Sequence, residues 1–264
     1  MTIILAIESS TETASVALHC NGLAIFGVPG VRLLSQQVTG VQTHSQTILP
    51  MIQVLLAQAG LNLNQCDAIA FGAGPGSFTG VRTACGIAQG LAYGCDLPVV
   101  AVDTLAAVAL ACRHAVPAAC ATDILVALDA RMGEVYWAQY RWPQYRWPQA
   151  SSVSVQSGDE LLDAGWTTII APRLSAPASV VPVGPVTGCG NAFAVYAHDL
   201  AGCAISGSAW SAVTPHAAQV AMLAQQLLAS GMAVSARDAQ PFYLRNNVAL
   251  TTAQRSAKRL EAVI

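Results

Sequence analysis

The chain opens on an unbroken apolar run, Ile3 to Ile7, the pattern of a strand covered on both faces. Ser9-Ser10-Thr11-Glu12-Thr13 then predicts a polar turn and Ala14 to Leu18 a second strand. Asn21-Gly22 predicts a hairpin into a third strand at Leu23 to Phe26. From Thr43 the period changes to 3.6. Ile48, Leu49, Met51, Ile52, Leu55 and Leu56 fall within an arc of roughly 160° on one helix. Thr43-His44-Ser45 supplies N-cap chemistry for that helix, Pro50 lies in its early turns, and Gly60 closes it. Ala68 to Phe71 predicts a short buried strand, Thr79 to Tyr93 a helix, and Val99 to Val102 another strand. A hairpin followed by βαβα order implies a mixed sheet with helices packed on it.

After Asp103 the pattern starts again, with a helix near Leu105 to Cys112 and strands at Ile124 to Leu128 and Val135 to Tyr140. Gln139 to Pro143 is then repeated as Gln144 to Pro148, a tandem copy far shorter than any solenoid period, read as a lengthened hairpin or loop. Trp142 and Trp147 in it read as loop packing or an aromatic platform. Residues 171–187 are loop-prone, rich in Pro, Ala, Ser and Val, and Gly188-Cys189-Gly190-Asn191 reads as a tight turn. Thr214 is placed to cap a long helix, Ala217 to Ala229, ended by Gly231. Pro241 to Arg245 reads as extended. The organisation expected is a first lobe at 1–103 and a second at 104–213. The helix at 214–231 should return to the first lobe, and 232–264 should form an extended segment and basic tail.

The 264 residues suffice for two modest cores, and 54% hydrophobic against 10% charged residues describes an Ala-rich globule. Net charge is −2, so no global field recruits a polyanion. The charge is uneven: residues 1–236 carry net −5, and residues 237–264 net +3, from Arg237, Arg245, Arg255, Lys258 and Arg259 against Asp238 and Glu261. That tail reads as a solvated end or a nucleic-acid contact. Eight cysteines without a CxxC pair read as small buried thiols of a reducing cytosol. The apolar start is too short for a signal-peptide core, and the stretch Leu97 to Cys112 falls short of a bilayer span. A cytoplasmic protein that touches no membrane is expected.

Chemistry concentrates in Phe71-Gly-Ala-Gly-Pro-Gly-Ser-Phe-Thr-Gly-Val-Arg82. With Glu8 and Ser9 of the first turn, Gly74, Gly76 and Ser77 form a candidate nucleotide or anion loop, because free amides at a helix start attract phosphate. The competing reading is a tight turn that lets strand and helix approach closely. The segment is neither a Walker A loop nor a Rossmann fingerprint. Its helix carries Gly86 and Gly90 four apart on one face. Interior glycine costs up to about 1 kcal/mol relative to alanine, which implies an offsetting close approach by a helix of this chain or of a partner. Asp129, Arg131 and Glu134 read as acid/base machinery or as a hydrogen-bonded turn.

The GxGPGSFTGVR segment resembles the hallmark of the TsaB (YeaZ) family. The resemblance extends to Ile4–Ala17, His44–Pro50, Val126–Trp137 and Gln240–Asn247. It implies the two-lobed actin-like ATPase fold (ASKHA, ribonuclease H-like), an α/β architecture of mixed sheets flanked by helices. It implies a non-catalytic scaffold that dimerises with the catalytic paralogue TsaD and works with TsaE to form N6-threonylcarbamoyladenosine in tRNA. Ile48, Ile52, Leu55, Gly86 and Gly90 are the implied partner contacts, and the same flank would self-pair in isolation. The paralogue holds its metal with a His-x-x-x-His pair. Asp103 and Ala107 align there, and His19, His44, His114, His198 and His216 contain no such pair, so neither metal nor cofactor is expected. Each histidine reads as a surface or capping residue. The competing functions are an ATP-dependent enzyme of the same fold, such as a small kinase, and a metallopeptidase.

Overall fold

Ile3–Glu8 (β1) is central in a five-stranded sheet, which explains why it is apolar from Ile3 to Ile7: Ile4 and Ala6 enter one core, Ile3, Leu5 and Ile7 the other. The structure is a computed structural model, and it describes residues 2–20, 33–40, 44–115, 123–141, 166–203, 205 and 209–245. The remaining elements are Thr13–Cys20 (β2), Leu33–Thr39 (β3), His44–Ala59 (α1), Ala68–Gly74 (β4), Phe78–Cys95 (α2), Val99–Asp103 (β5) and Thr104–Ala115 (α3). Asp123–Arg131 (β6), Glu134–Arg141 (β7), Thr167–Ser175 (β8), Val186–Cys189 (β9), Ala192–Val195 (α4) and Ala217–Ala229 (α5) follow. The first sheet runs β3-β2-β1-β4-β5, with β4 parallel to β1 and β5. The second runs β8-β7-β6-β9, with β9 parallel to β6.

Helices α3 and α5 fill the space between the sheets. One core joins Ile4, Ala70 and Val102 of the first sheet to Val126, Ala138 and Tyr140 of the second through Leu105, Leu110, Val220 and Leu223. α1 and α2 cover the opposite face of the first sheet. A third core lies beyond the second sheet, around Leu125, Trp137 and Phe193. No described helix is long and apolar enough to cross a membrane.

Several expectations need correction. Ile48, Ile52 and Leu55 are buried in the chain's own core and offer nothing to a partner. Their i, i+4, i+7 stripe is the one the sheet covers. The apolar arc of α1 is wider than that stripe, so Leu49 at its margin stays 42% exposed, as does Val54, outside the arc, at 44%. Residues 171–187 are not one loop: β8 runs through Ala171 and Pro172. Proline is tolerated there because β8 is a sheet edge and its register with β7 slips around that point. The cap of α5 is His216, whose Nδ1 accepts from Ala218 N at 3.0 Å, rather than Thr214. His19 lies within β2 and is buried, neither surface nor cap. The Asn21-Gly22 hairpin, the strand at Leu23 to Phe26, Cys120, Trp142, Trp147 and the tail from 246 lie outside the described residues. Of the other cysteines, Cys20, Cys66, Cys85, Cys112, Cys189 and Cys203 are buried and Cys95 half-buried, all free thiols.

Candidate functional site

The turns after β1 and β4 close on each other. Ser77 N donates to Ser10 O at 2.8 Å, Ser9 Oγ to Gly80 O at 2.9 Å, and Gly74 N to Thr104 Oγ1 at 3.1 Å. Ser77 caps α2 by accepting from Gly80 N at 3.4 Å. The glycines are sterically required: a Cβ at Gly72 would overlap the Glu8 carboxyl, one at Gly80 the Ser9 carbonyl, and one at Gly76 would sit 2.6 Å from Ser10 Cβ. The residues read as an anion loop, Glu8, Ser9, Gly74, Gly76 and Ser77, are thus engaged with one another and with Ser10, Gly80 and Thr104. Close approach of the two turns explains the glycine spacing. Burial pushes the Glu8 carboxyl above its usual range, opposed by the Ser10 and Ser9 amides and the side chains of Ser10 and Thr104.

Asp103, at the end of β5, ties the first sheet to the second. Its Oδ1 accepts from Leu105 N at 2.9 Å and its Oδ2 from the buried Tyr140 hydroxyl at 2.5 Å. Burial pushes this carboxyl up to about 6, against the pull of Tyr140, Leu105 and Ala106. An unfolded aspartate titrates near 3.9, so the folded chain binds this proton more tightly. The stabilisation is full below about pH 4 and is lost as pH rises through about 6, on the order of 2–3 kcal/mol. Asp103→Asn should therefore unfold at higher urea than the parent at pH 8, with the gap closing toward pH 4. Asp123 contributes with the opposite sign, because hydrogen bonds from Arg141 and Gln139 outweigh its burial and shift it down. The informative quantity is thus the variant-minus-parent difference. Parallel curves for the two proteins would refute the assignment.

The β6–β7 hairpin carries Asp129, Arg131 and Glu134, and its geometry is that of a turn. Asp129 Oδ1 accepts from Arg131 N at 2.8 Å and from Tyr196 OH at 2.9 Å, and Oδ2 lies 3.3 Å from Arg131 Nη1. Arg131 and Met132 adopt φ of 62° and 60°, a left-handed conformation unusual for such side chains, ahead of Gly133. The segment after α5 reaches this hairpin across the first sheet's helices. Gln89 Nε2 donates to Ala239 O at 3.0 Å and Phe242 N to Ala73 O at 2.7 Å. Arg245 Nη2 then meets Glu134 Oε2 at 2.5 Å.

The outer face of α2 is the most unusual surface. Val81, Ala84, Cys85, Ala88 and Ala92 point inward. Phe78, Arg82, Gly86, Gly90 and Gly94, four apart along the helix, are all exposed. A Cβ at any of those three glycines would meet nothing within 4 Å among the described residues, so no described neighbour explains them. Tyr93 beside them is 81% exposed. At the other end, Phe78 and Tyr243 flank Arg82. Its guanidinium carbon is 3.6 Å and 5.5 Å from their ring centroids, and its Nε donates to Tyr243 OH at 2.7 Å. Sequence reasoning singled out Gly86 and Gly90 but missed Arg82, Phe78 and Tyr243. Their i, i+4 spacing was visible; the arrival of residue 243 was not.

Comparisons with known proteins agree along most of the chain. The sequence model of the family described as "TsaD: tRNA N6-adenosine threonylcarbamoyltransferase" matches residues 35–253. The "tRNA threonylcarbamoyladenosine biosynthesis protein TsaB" of Haemophilus influenzae is 36% identical over 259 residues, covering 93% of this chain and 94% of that protein. The Escherichia coli protein of the same description is 35% identical over 253 residues, covering 93% and 96%. The solved structure of YeaZ from Pseudomonas aeruginosa superposes with a TM-score of 0.72 at 31% identity, over 92% of this chain and all (100%) of that one. Another Pseudomonas aeruginosa structure, described as having similarity to peptidase YEAZ, gives 0.73 at 32% identity, covering 93% and 100%.

Proposed function

The chain belongs to the TsaB family, with its two-lobed actin-like fold, and from that premise we propose that it is a non-catalytic scaffold in tRNA threonylcarbamoyladenosine formation. Its direct partner is the catalytic paralogue TsaD, TsaE is the third component, and tRNA is the substrate of the assembly, which works in the cytoplasm. The observation that carries this reading is the row Gly86, Gly90 and Gly94, open to solvent on an 18-residue helix. Each interior glycine costs up to about 1 kcal/mol relative to alanine. A helix laid along that row gains close backbone contact, the ridge-in-groove geometry that i±4 rows favour. Exposed Leu49, Val54 and Tyr93 widen the same flank, and in isolation they favour self-pairing through it.

Two features support the division of labour. Asp103, aligned with the first metal-binding histidine of the paralogue, is spent on Tyr140 and Leu105. Ala107, aligned with the second, has no ligating atom.

The test is reconstitution of tRNA modification from purified components with and without this chain. Modification should fall at least tenfold when it is omitted and return on its addition, while the chain alone modifies nothing. Full-rate modification without it would end the scaffold reading.

A further inference from the structure

Arg131 pairs with Asp129, Arg141 with Asp123 and Arg245 with Glu134, but no acidic side chain among the described residues pairs with Arg82. Its Nε is taken by the Tyr243 hydroxyl, and its plane rests on the Phe78 ring. That fixes the side chain of an exposed residue and leaves its terminal nitrogens without an acidic partner among the described residues. A guanidinium held flat with its fork free is prepared for two parallel hydrogen bonds to one carboxylate. Much of the ordering entropy of a long side chain is already spent before any partner arrives. Phe78 and Tyr243 on either side of it are 49% and 42% exposed. A fixed arginine between two half-exposed aromatics has the composition of a binding hot spot. The cluster also continues the row that holds Gly86 and Gly90, at one and two i+4 steps from Arg82.

We infer that Arg82, braced by Phe78 and Tyr243, anchors the partner interface by gripping a carboxylate of the partner protein, so that the C-terminal segment completes the docking surface begun by α2. This rests on the scaffold reading above and adds the chemistry that the partner must present. An acidic side chain should stand at the end of its contact helix, where it reaches Arg82 once the helix lies along the glycine row. The segment is brought to α2 by Ala236 and Ala239, buried against it, and by the Gln89 and Ala73 hydrogen bonds, and there Tyr243 shapes the arginine.

Binding of the full chain to the purified TsaD-type paralogue by calorimetry tests this, with thermal unfolding as the fold control. Arg82→Ala should weaken binding at least tenfold with Tm nearly unchanged, and Arg82→Lys should recover only part, since a lysine cannot make the paired contact. Tyr243→Phe, which removes one hydroxyl, should weaken it about threefold, and carries the test should Arg82→Ala misfold. Arg82→Glu should be rescued by one Asp or Glu to Arg exchange on the partner's contact face. Gly86→Arg separates the two claims. If it abolishes binding while the Arg82 and Tyr243 variants stay within twofold of the parent, the anchor is refuted and the scaffold stands. If all bind as the parent does, both fall. If Arg82→Ala weakens only binding of an unmodified tRNA transcript, the cluster is an RNA contact and the inference is overturned.

Discussion

Gly80→Ala is expected to destabilise the chain by about 3 kcal/mol or more, at the upper end of what overpacking costs. The new Cβ would overlap the carbonyl oxygen of Ser9, a backbone atom with no rotamer to escape into. Ser9 is fixed in turn, since its Oγ donates back to Gly80 O at 2.9 Å. The first loop would have to move, taking with it Ser10, whose carbonyl receives Ser77 N. Urea unfolding of variant and parent measures the difference. A loss under about 1 kcal/mol would mean that the two turns are not locked together. Gly86→Ala, six residues on in the same helix, is the internal control. Its Cβ meets open space, so the chain should gain about 0.5–1 kcal/mol from helix propensity alone.

The second large effect is on association. Gly86→Arg should weaken paralogue binding at least a hundredfold, more than 2.7 kcal/mol, while leaving the isolated chain folded. Outside the interface the position is harmless: it faces solvent and α2 stays intact. Within the interface the long charged side chain fills the groove that the three glycines leave and must be desolvated without a designed partner. Co-purification together with circular dichroism measures both halves. Unchanged co-purification would remove α2 from the docking surface. Gly90→Ala completes the logic, since a residue retained for a partner should stabilise the free chain and weaken the complex when replaced.

Much of the architecture was legible along the chain because it depends on short-range patterning. Ile3–Ile7 could only be a strand covered twice, and the return of 3.6 periodicity after Thr43 marked α1. Where the reading failed, competition between faces decided. Ile48, Ile52 and Leu55 lie in the middle of the apolar arc, and periodicity marks that stripe as covered without saying whether the cover is this chain's own sheet or a partner. Pro172 reads as a strand breaker until its strand is known to be an edge. His216 rather than Thr214 caps α5, because the cap is whichever side chain reaches the first free amides.

The apolar strands β1, β2 and β4 to β7, the long helices, the glycine turn before α2 and its row of residues four apart were determined by the sequence alone, since each follows from backbone geometry over a few neighbouring residues; the edge strands β3 and β8 were not. Only the tertiary structure decided which glycines are filled and which are open. Gly72, Gly76 and Gly80 meet Glu8, Ser10 and Ser9 across some seventy positions of chain, whereas Gly86, Gly90 and Gly94 meet nothing among the described residues. It likewise decided that Tyr140 holds Asp103 and that Tyr243 braces Arg82 over sequence separations of 37 and 161 residues. Contacts of that span depend on how whole layers pack, and no local pattern encodes which surface a layer leaves bare.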